Sequence, residues 1–123
     1  MKKTPRKKAV ERLDKAFSKF IRQRDGMCVM PDCYKTQNLH AGHLITRCKY
    51  SVRWDEENCF AQCAGHNFEH ENHPEKFTLW YIKMFGPARY IDLVERSNKI
   101  RKFTTVELLA MAEEYENQLK GKK

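Results

Sequence analysis

The sequence predicts an α+β fold in which a small β-hairpin is surrounded by α-helices. Residues 26–73 consist of short apolar pieces punctuated by proline, asparagine and glycine, a pattern typical of short strands and turns. The segments on either side repeat apolar residues at helical spacing. A chain of 123 residues is long enough for one modest core, so residues 9–123 are interpreted as a single domain.

The N-terminal part divides into a basic arm and a helix. Residues 1–8 carry five lysine or arginine side chains, and we expect a flexible arm there. Residues 9–25 predict an amphipathic helix. Its apolar stripe consists of Val10, Leu13, Phe17, Phe20 and Ile21. The helix is expected to end at Gly26, because glycine readily adopts the left-handed conformation that closes a helix.

The central segment, residues 26–73, predicts two strands followed by a helix. Residues 39–45 and 58–62 are the expected strands. The polar residues 46–57 form a long loop between them. The helix is expected to begin near Cys63, so that the order of elements is strand, strand, helix.

The C-terminal segment, residues 74–123, predicts three more helices. Pro74 suits a first helical turn, and the strongly apolar residues after it make this segment the best candidate for the main core helix. A second helix is predicted over residues 88–97. Thr104 and Glu107 have the spacing of a capping box that begins the third. The buried stripe of that third helix is expected to be Leu108, Ala112, Tyr115 and Leu119.

The charge of the chain suggests a polyanionic partner. Lysine and arginine number 24 against 16 acidic residues, which gives a net charge of +8. No apolar run approaches the roughly 20 residues that a membrane span needs, and no secretory signal is evident. We therefore expect a soluble, cytoplasmic protein without a membrane partner, and five reduced or metal-bound cysteines rather than a disulfide framework.

Four potential metal ligands occur as two closely spaced pairs. Cys28 and Cys33 form the first pair, and Cys63 and His66 form the second, after a gap of 29 residues. Two such pairs can close a tetrahedron around Zn²⁺ and clip two turns together. A structural zinc would contribute folding free energy to a central segment that has few large apolar side chains.

The fourth zinc ligand has alternatives. His70 and His73 both lie within one to two helical turns of Cys63, so either could replace His66. Cys48 has no paired partner in the sequence, and we interpret it as a structural or incidental thiol.

An ordered set of motifs surrounds these pairs, and here the sequence resembles a known family. The motifs are HAGHLITR at residues 40–47, RWDEEN at residues 53–58, Gln62-Cys63 and Asn67. They resemble the phage recombination endonuclease family NinG, also called Rap, a branch of the HNH nucleases. The resemblance covers roughly residues 13–86 and implies a zinc-stapled ββα-metal (HNH) core with flanking helices.

The resemblance implies roles for three residues. His43 would be the general base, Asn58 would brace the loop and hold that histidine, and Asn67 would bind a catalytic Mg²⁺ or Mn²⁺. The chemistry itself also calls for such a set. Phosphodiester cleavage needs a base with a near-neutral pKa to activate water, and a hard cation to neutralise charge on the leaving oxygen.

Further ligands of the catalytic ion are expected near these residues. His40 lies three residues before His43, where family members often carry an acidic residue, and we assign it as a second ligand. Many HNH enzymes place that ligand directly before the base, which Gly42 cannot provide. His70 and Glu71 lie one turn beyond Asn67 on the same predicted helix, and they are alternative ligands.

Arginine residues around the catalytic loop are expected to contact DNA. Arg47 and Arg53 flank it, and the planar guanidinium can donate two parallel hydrogen bonds to a phosphate. The arm would add affinity that weakens as salt rises, through Lys2, Lys3, Arg6, Lys7 and Lys8. Trp54 and Trp80 are expected to be core residues rather than stacking platforms.

The resemblance implies a substrate class as well as an activity. Branched recombination intermediates such as Holliday junctions and D-loops are the expected substrates, and symmetric resolution would suit a homodimer formed through the C-terminal helices. Two alternatives stay open: an HNH nuclease or nickase that acts on ordinary duplex DNA, and a non-catalytic zinc-finger module that binds nucleic acid.

Overall fold

The structure is a computed structural model that describes residues 2–121. In chain order the elements are α1 (Pro5–Asp25), β1 (Leu39–His43), α2 (Tyr50–Arg53), a 3-10 turn (Glu56–Asn58), β2 (Cys59–Cys63), α3 (Ala64–Asn72), α4 (Pro74–Phe85), α5 (Pro87–Ser97) and α6 (Thr105–Gly121). The predicted α+β class, a small two-stranded sheet among helices, is confirmed. Within the described residues, no helix has the length and apolar character needed to cross a bilayer.

Helix α1 begins earlier than the sequence predicted. The expectation of a flexible arm over residues 1–8 is wrong for residues 5–8, which are helical, while Met1 lies outside the described residues. The cause is an N-cap. The Thr4 hydroxyl accepts a hydrogen bond from the backbone N–H of Lys7 at 3.1 Å, and Pro5 occupies a first-turn position that needs no donor.

The larger hydrophobic core lies between α1 and α6. Helix α1 buries Ala9, Leu13, Ala16, Phe17, Phe20 and Ile21. Helix α6 buries Leu108, Ala112 and Tyr115, with Leu119 packed at the edge. The capping box predicted for α6 is confirmed, because the Thr104 N–H donates to Glu107 at 2.9 Å and the Glu107 N–H donates to the Thr104 hydroxyl at 3.1 Å.

A second, smaller core lies on the opposite face of the sheet. It contains Leu44, Val52, Phe60, Phe77, Tyr81 and Leu93, and Trp80 packs at its margin. Helix α4 buries two side chains here, Phe77 and Tyr81, whereas α1 buries six. The prediction that α4 is the main core helix is therefore wrong. The apolar segment of α4 instead leaves Leu79 and Met84 exposed.

The two strands are antiparallel, and their register places the chemistry-bearing residues. His43 pairs with Cys59 and His40 pairs with Gln62. Both predicted strands are confirmed, although β1 ends at His43 rather than at residue 45. The predicted loop at residues 46–57 carries the short helix α2 and most of the 3-10 turn.

The end of α1 is attached to β2 by polar contacts. The Arg24 guanidinium donates to the carbonyl of Cys59 at 2.7 Å and to that of Glu56 at 2.8 Å. The Asp25 carboxylate accepts a hydrogen bond from the backbone N–H of Ala61 at 2.8 Å. These contacts fix the sheet against α1, which forms one wall of the candidate site.

Candidate functional site

Four side chains converge at a candidate metal centre: Cys28, Cys33, Cys63 and His66. Their ligand atoms all lie within 4.8 Å of one another. His66 Nδ1 is 3.4 Å from Cys28 Sγ and 3.3 Å from Cys63 Sγ, and the sulfurs of Cys33 and Cys63 are 3.9 Å apart. Ideal zinc tetrahedra place two sulfurs roughly 3.8 Å apart, and sulfur and nitrogen roughly 3.6 Å apart. The cluster could therefore bind a metal such as zinc.

The structure selects His66 among the three candidate histidines for this centre. His70 instead hydrogen-bonds to β1, and the exposed His73 lies 3.5 Å from Glu75. His66 reaches the centre because Cys63 is the N-cap of α3. The sulfur of Cys63 accepts a hydrogen bond from the backbone N–H of His66 at 3.4 Å. Residue spacing alone could not decide which of the three histidines is the ligand, since all of them lie on α3 or at its end.

The surroundings of Cys63 favour the ionised form of its thiol. Burial opposes its charged form, but hydrogen bonding from His66 and its two cysteine neighbours outweighs that effect and lowers the pKa of Cys63 to about 7. Thiolate is the form that binds metal. Cys48, by contrast, is exposed and lies outside the cluster.

A cleft of about 930 Å³ lies between α1 and α3, along the edge of β1. Several residues that the sequence singled out line it: His40, His43, Arg47, Asn67, His70 and Glu71. Helix α1 contributes Asp14, Phe17, Ser18 and Arg22 to the facing wall. His43 and Asn67, which come from β1 and α3, therefore share one concave surface.

His43 is held in one tautomer by the loop that follows β1. Its Nε2 lies 2.8 Å from the carbonyl oxygen of Arg53. Because a carbonyl can only accept, Nε2 carries the proton and Nδ1 keeps its lone pair. Burial lowers the pKa of His43, and the nearby Arg47 charge lowers it further, against the opposing effect of that hydrogen bond. The imidazole is therefore neutral near pH 7.

Cys59 lies on the other side of this imidazole. Its Sγ is 3.9 Å from His43 Nδ1, as expected for residues paired across the sheet. Burial raises the pKa of the Cys59 thiol to about 12, so it remains uncharged beside the histidine. It forms part of the low-polarity floor under the ring.

Asn58 is fully buried and ties the loop after β1 together. Its Oδ1 accepts the backbone N–H of Ile45 at 2.8 Å. Its Nδ2 donates to the carbonyls of Ile45 and Val52, each at 3.0 Å. Val52 immediately precedes Arg53, the residue whose carbonyl holds His43. Asn58 therefore fixes both ends of the segment that positions the imidazole.

Asn67 projects from α3 over Gly42. Its Oδ1 lies 3.2 Å from the point where a Cβ on Gly42 would lie, so a side chain at position 42 would crowd it. His70, one turn further along α3, lies 2.8 Å from the His43 carbonyl through its Nε2 and packs edge-on against Phe77. His70 thus connects α3 directly to the end of β1.

Arg53 has a different environment from the one expected of a DNA contact. Its guanidinium donates to both carboxylate oxygens of Asp14, at 2.6 and 3.1 Å, and its side chain is only 13% exposed. The Trp54 indole N–H donates to the same carboxylate at 2.8 Å. Against the opposing effect of burial, these hydrogen bonds lower the pKa of Asp14. Arg53 is therefore held inward by an acidic partner, and its contact with DNA stays a prediction.

Arg47 remains available at the surface. Its guanidinium donates to Asp14 at 2.8 Å, but its side chain is 56% exposed and lines the cleft. A neighbouring groove of about 550 Å³ is also lined by Arg47, together with Arg6 and Lys7 from the first turn of α1. The remaining basic residues predicted for DNA, Lys2, Lys3 and Lys8, are also exposed, with Lys3 paired to Glu11.

Sequence reasoning assigned no role to three residues of this site. Asp14 gave a weak signal, an acidic residue one position from the apolar stripe of α1. Cys59 could have been placed beside His43 from the register of the two strands. Gln62 is 1% exposed, and its Oε1 has no hydrogen-bond partner in the described part of the chain. A single sequence gives no sign of that environment.

The sequence matches a known protein family along its whole length. The family described as Bacteriophage Lambda NinG protein matches residues 1–123. The chain is 29% identical over 119 residues to protein ninG of Salmonella phage P22; the match covers 94% of this chain and 58% of that protein, so the chain spans little more than half of its relative. No solved structure matches the chain. The chain therefore belongs to the NinG family of bacteriophage proteins.

Proposed function

We propose that this protein is a metal-dependent DNA endonuclease of the HNH type. One observation carries the proposal: His43, neutral and with its Nδ1 lone pair unprotonated, shares a cleft with the amide of Asn67. A general base near neutral pKa and an oxygen ligand on facing elements are the two parts that metal-assisted phosphodiester hydrolysis requires. A non-catalytic zinc module would have no use for either.

The chain's own residues would divide the work as follows. His43 accepts a proton from the attacking water at Nδ1, and the Arg53 carbonyl stabilises the imidazolium through the Nε2–H bond. Asn58 keeps that carbonyl in place. Arg47 binds a backbone phosphate at the mouth of the cleft.

We assign a hard divalent cation to residues of α3 and β1. Asn67 would hold Mg²⁺ or Mn²⁺, with His40 and Glu71 in the same cleft as further candidate ligands. The bound cation would supply charge neutralisation at the leaving oxygen. The Cys28–Cys33–Cys63–His66 cluster would hold a structural zinc, which fixes α3 against the strands.

The substrate class is the finer part of the proposal. The resemblance to phage recombination endonucleases favours branched DNA such as Holliday junctions and D-loops, cut in the cytoplasm of the infected host. A homodimer would place two clefts on one junction. An activity on ordinary duplex DNA is the competing outcome.

The test uses zinc-loaded protein and a labelled four-way junction, with a linear duplex of matched sequence. We expect cleavage of the junction with Mg²⁺ or Mn²⁺ and none when that cation is omitted, while the zinc content stays unchanged. Equal cleavage rates on both DNAs would show that ordinary duplex DNA, rather than branched DNA, is the substrate class. Binding without cleavage in either cation would reject the endonuclease.

The rate should also depend on pH through His43. Only the neutral imidazole can accept a proton, and the pKa of His43 is lowered from 6.5. The rate should therefore be retained at neutral pH and lost only as the pH falls through that lowered pKa, so that the acid limb has its midpoint below pH 6.5. Single-turnover rates from about pH 5 to pH 8 test this. An acid limb centred above pH 6.5 would contradict the assignment.

A further inference from the structure

Gln62 carries a buried side-chain amide next to Gly42 and Asn67. The residue is 1% exposed, and its Oε1 makes no hydrogen bond with any of residues 2–121. Buried acceptors are nearly always paired in folded proteins, and an exception commonly marks the place of a water molecule or an ion. The unpaired Gln62 oxygen is therefore a candidate contact for a water molecule or an ion.

The oxygen of Gln62 occupies the space that glycine at position 42 leaves open. A Cβ on Gly42 would overlap Gln62 Oε1, and the same point lies 3.2 Å from Asn67 Oδ1. Two amide oxygens from β2 and α3 thus converge above one glycine. Any side chain at position 42 would separate them.

The strand register explains why these groups meet. Gln62 pairs with His40 across the sheet, so its side chain is on the same face as those of His40 and residue 42. Helix α3 follows β2 directly and brings Asn67 over this face. His40 and Asn67 both line the cleft.

We propose that Gln62 supplies a second amide oxygen, beside that of Asn67, to the divalent-cation site. This inference rests on the proposed function, because it deepens the cation site assigned there to Asn67. Hard cations such as Mg²⁺ and Mn²⁺ prefer oxygen ligands, among which amide carbonyls are common. Two neutral ligands would leave the charge of the ion available to a DNA phosphate. Gln62 would take over the ligand position that Gly42 cannot fill.

The test measures Mn²⁺ binding directly, in zinc-loaded protein without DNA. The free aquo-ion gives an electron paramagnetic resonance signal that is lost on binding, so a titration yields Kd without reference to activity. Gln62→Met keeps the volume but removes the oxygen, and should raise Kd about tenfold or more. Gln62→Glu places a carboxylate oxygen at the same point, and should restore the wild-type Kd or lower it.

Gln118 offers a matched control on α6, where it is exposed and hydrogen-bonds Glu114. Gln118→Met and Gln118→Glu repeat the same chemical changes and should leave Kd within about twofold. Zinc content and the melting transition show that each variant is folded. If Gln62→Met does not fold, the test compares the Kd of Gln62→Glu with that of Gln118→Glu. Weaker Mn²⁺ binding by Gln62→Glu than by Gln118→Glu would then overturn the proposal.

Three results would overturn the inference. An unchanged Kd in Gln62→Met would show that the oxygen faces no cation. A Kd for Gln62→Glu weaker than that for Gln62→Met would show that the amide donates to Asn67 Oδ1 instead. Absence of Mn²⁺ binding by the wild-type protein would also reject it. In each case DNA cleavage by the wild-type protein would leave the proposed function standing, whereas absence of cleavage would remove both.

Discussion

Replacing His43 with alanine should reduce the rate of DNA cleavage by about 10³-fold, which corresponds to about 4 kcal/mol of transition-state stabilisation. The reason is Nδ1, the nitrogen that stays unprotonated because Nε2 donates to the Arg53 carbonyl. His70 also holds its Nε2 on a backbone carbonyl, that of His43, but its Nδ1 is buried. Single-turnover cleavage of a four-way junction measures the effect.

The control for this variant is His73→Ala. His73 is exposed, lies 3.5 Å from Glu75 and lines neither the cleft nor the metal centre. Its removal should change the cleavage rate by less than about twofold, as expected for a surface substitution. A His43→Ala protein that keeps its zinc, binds the junction and cuts it at the wild-type rate would remove His43 from the mechanism.

Replacing Cys63 with serine should abolish zinc binding and unfold the central segment. Cys63 touches two of the other three ligands, and because a serine hydroxyl can still cap α3, the substitution removes the zinc ligand alone. Structural zinc in small domains contributes about 10–16 kcal/mol of apparent binding free energy. Whole domains are typically stable by about 5–15 kcal/mol. Residues 26–73 should therefore lose their cooperative fold at physiological temperature.

Part of the helical signal should survive in the Cys63→Ser variant. The core between α1 and α6 contains none of the four ligands among its buried residues. Elemental analysis and thermal unfolding followed by circular dichroism test both statements. Cys48→Ser is the matched control, because Cys48 is exposed and outside the cluster, and it should keep one zinc per chain. A Cys63→Ser protein with one zinc and an unchanged melting transition would contradict the assignment.

Local patterns predicted those parts of the fold that neighbouring residues determine. The capping box at Thr104 and Glu107 formed as expected because both partners lie within one helical turn. The ligand pair Cys28 and Cys33 was predictable for the same reason: its spacing is short. The start of α1 was predicted too late. The basic charge of residues 1–8 suggested an arm, although Thr4 and Pro5 are residues that cap and begin a helix.

Contacts between distant residues could not be predicted in this way. Arg53 was expected at the DNA, but its partner Asp14 comes from a helix 39 residues earlier in the chain. The choice of His66 over His70 depends on how α3 is rotated against β1. The setting of Gln62 depends on the register of two strands and on Asn67 in the following helix. Each of these requires the assembled fold.

The most direct measurement is diffraction at the manganese absorption edge from zinc-loaded His43→Ala protein, bound to Mn²⁺ and a four-way junction. We expect an anomalous peak in the cleft, within coordination distance of Asn67 Oδ1 and of a DNA phosphate, with position 43 on the opposite side of that phosphate. DNA bound away from the cleft, with no manganese beside Asn67, would contradict it.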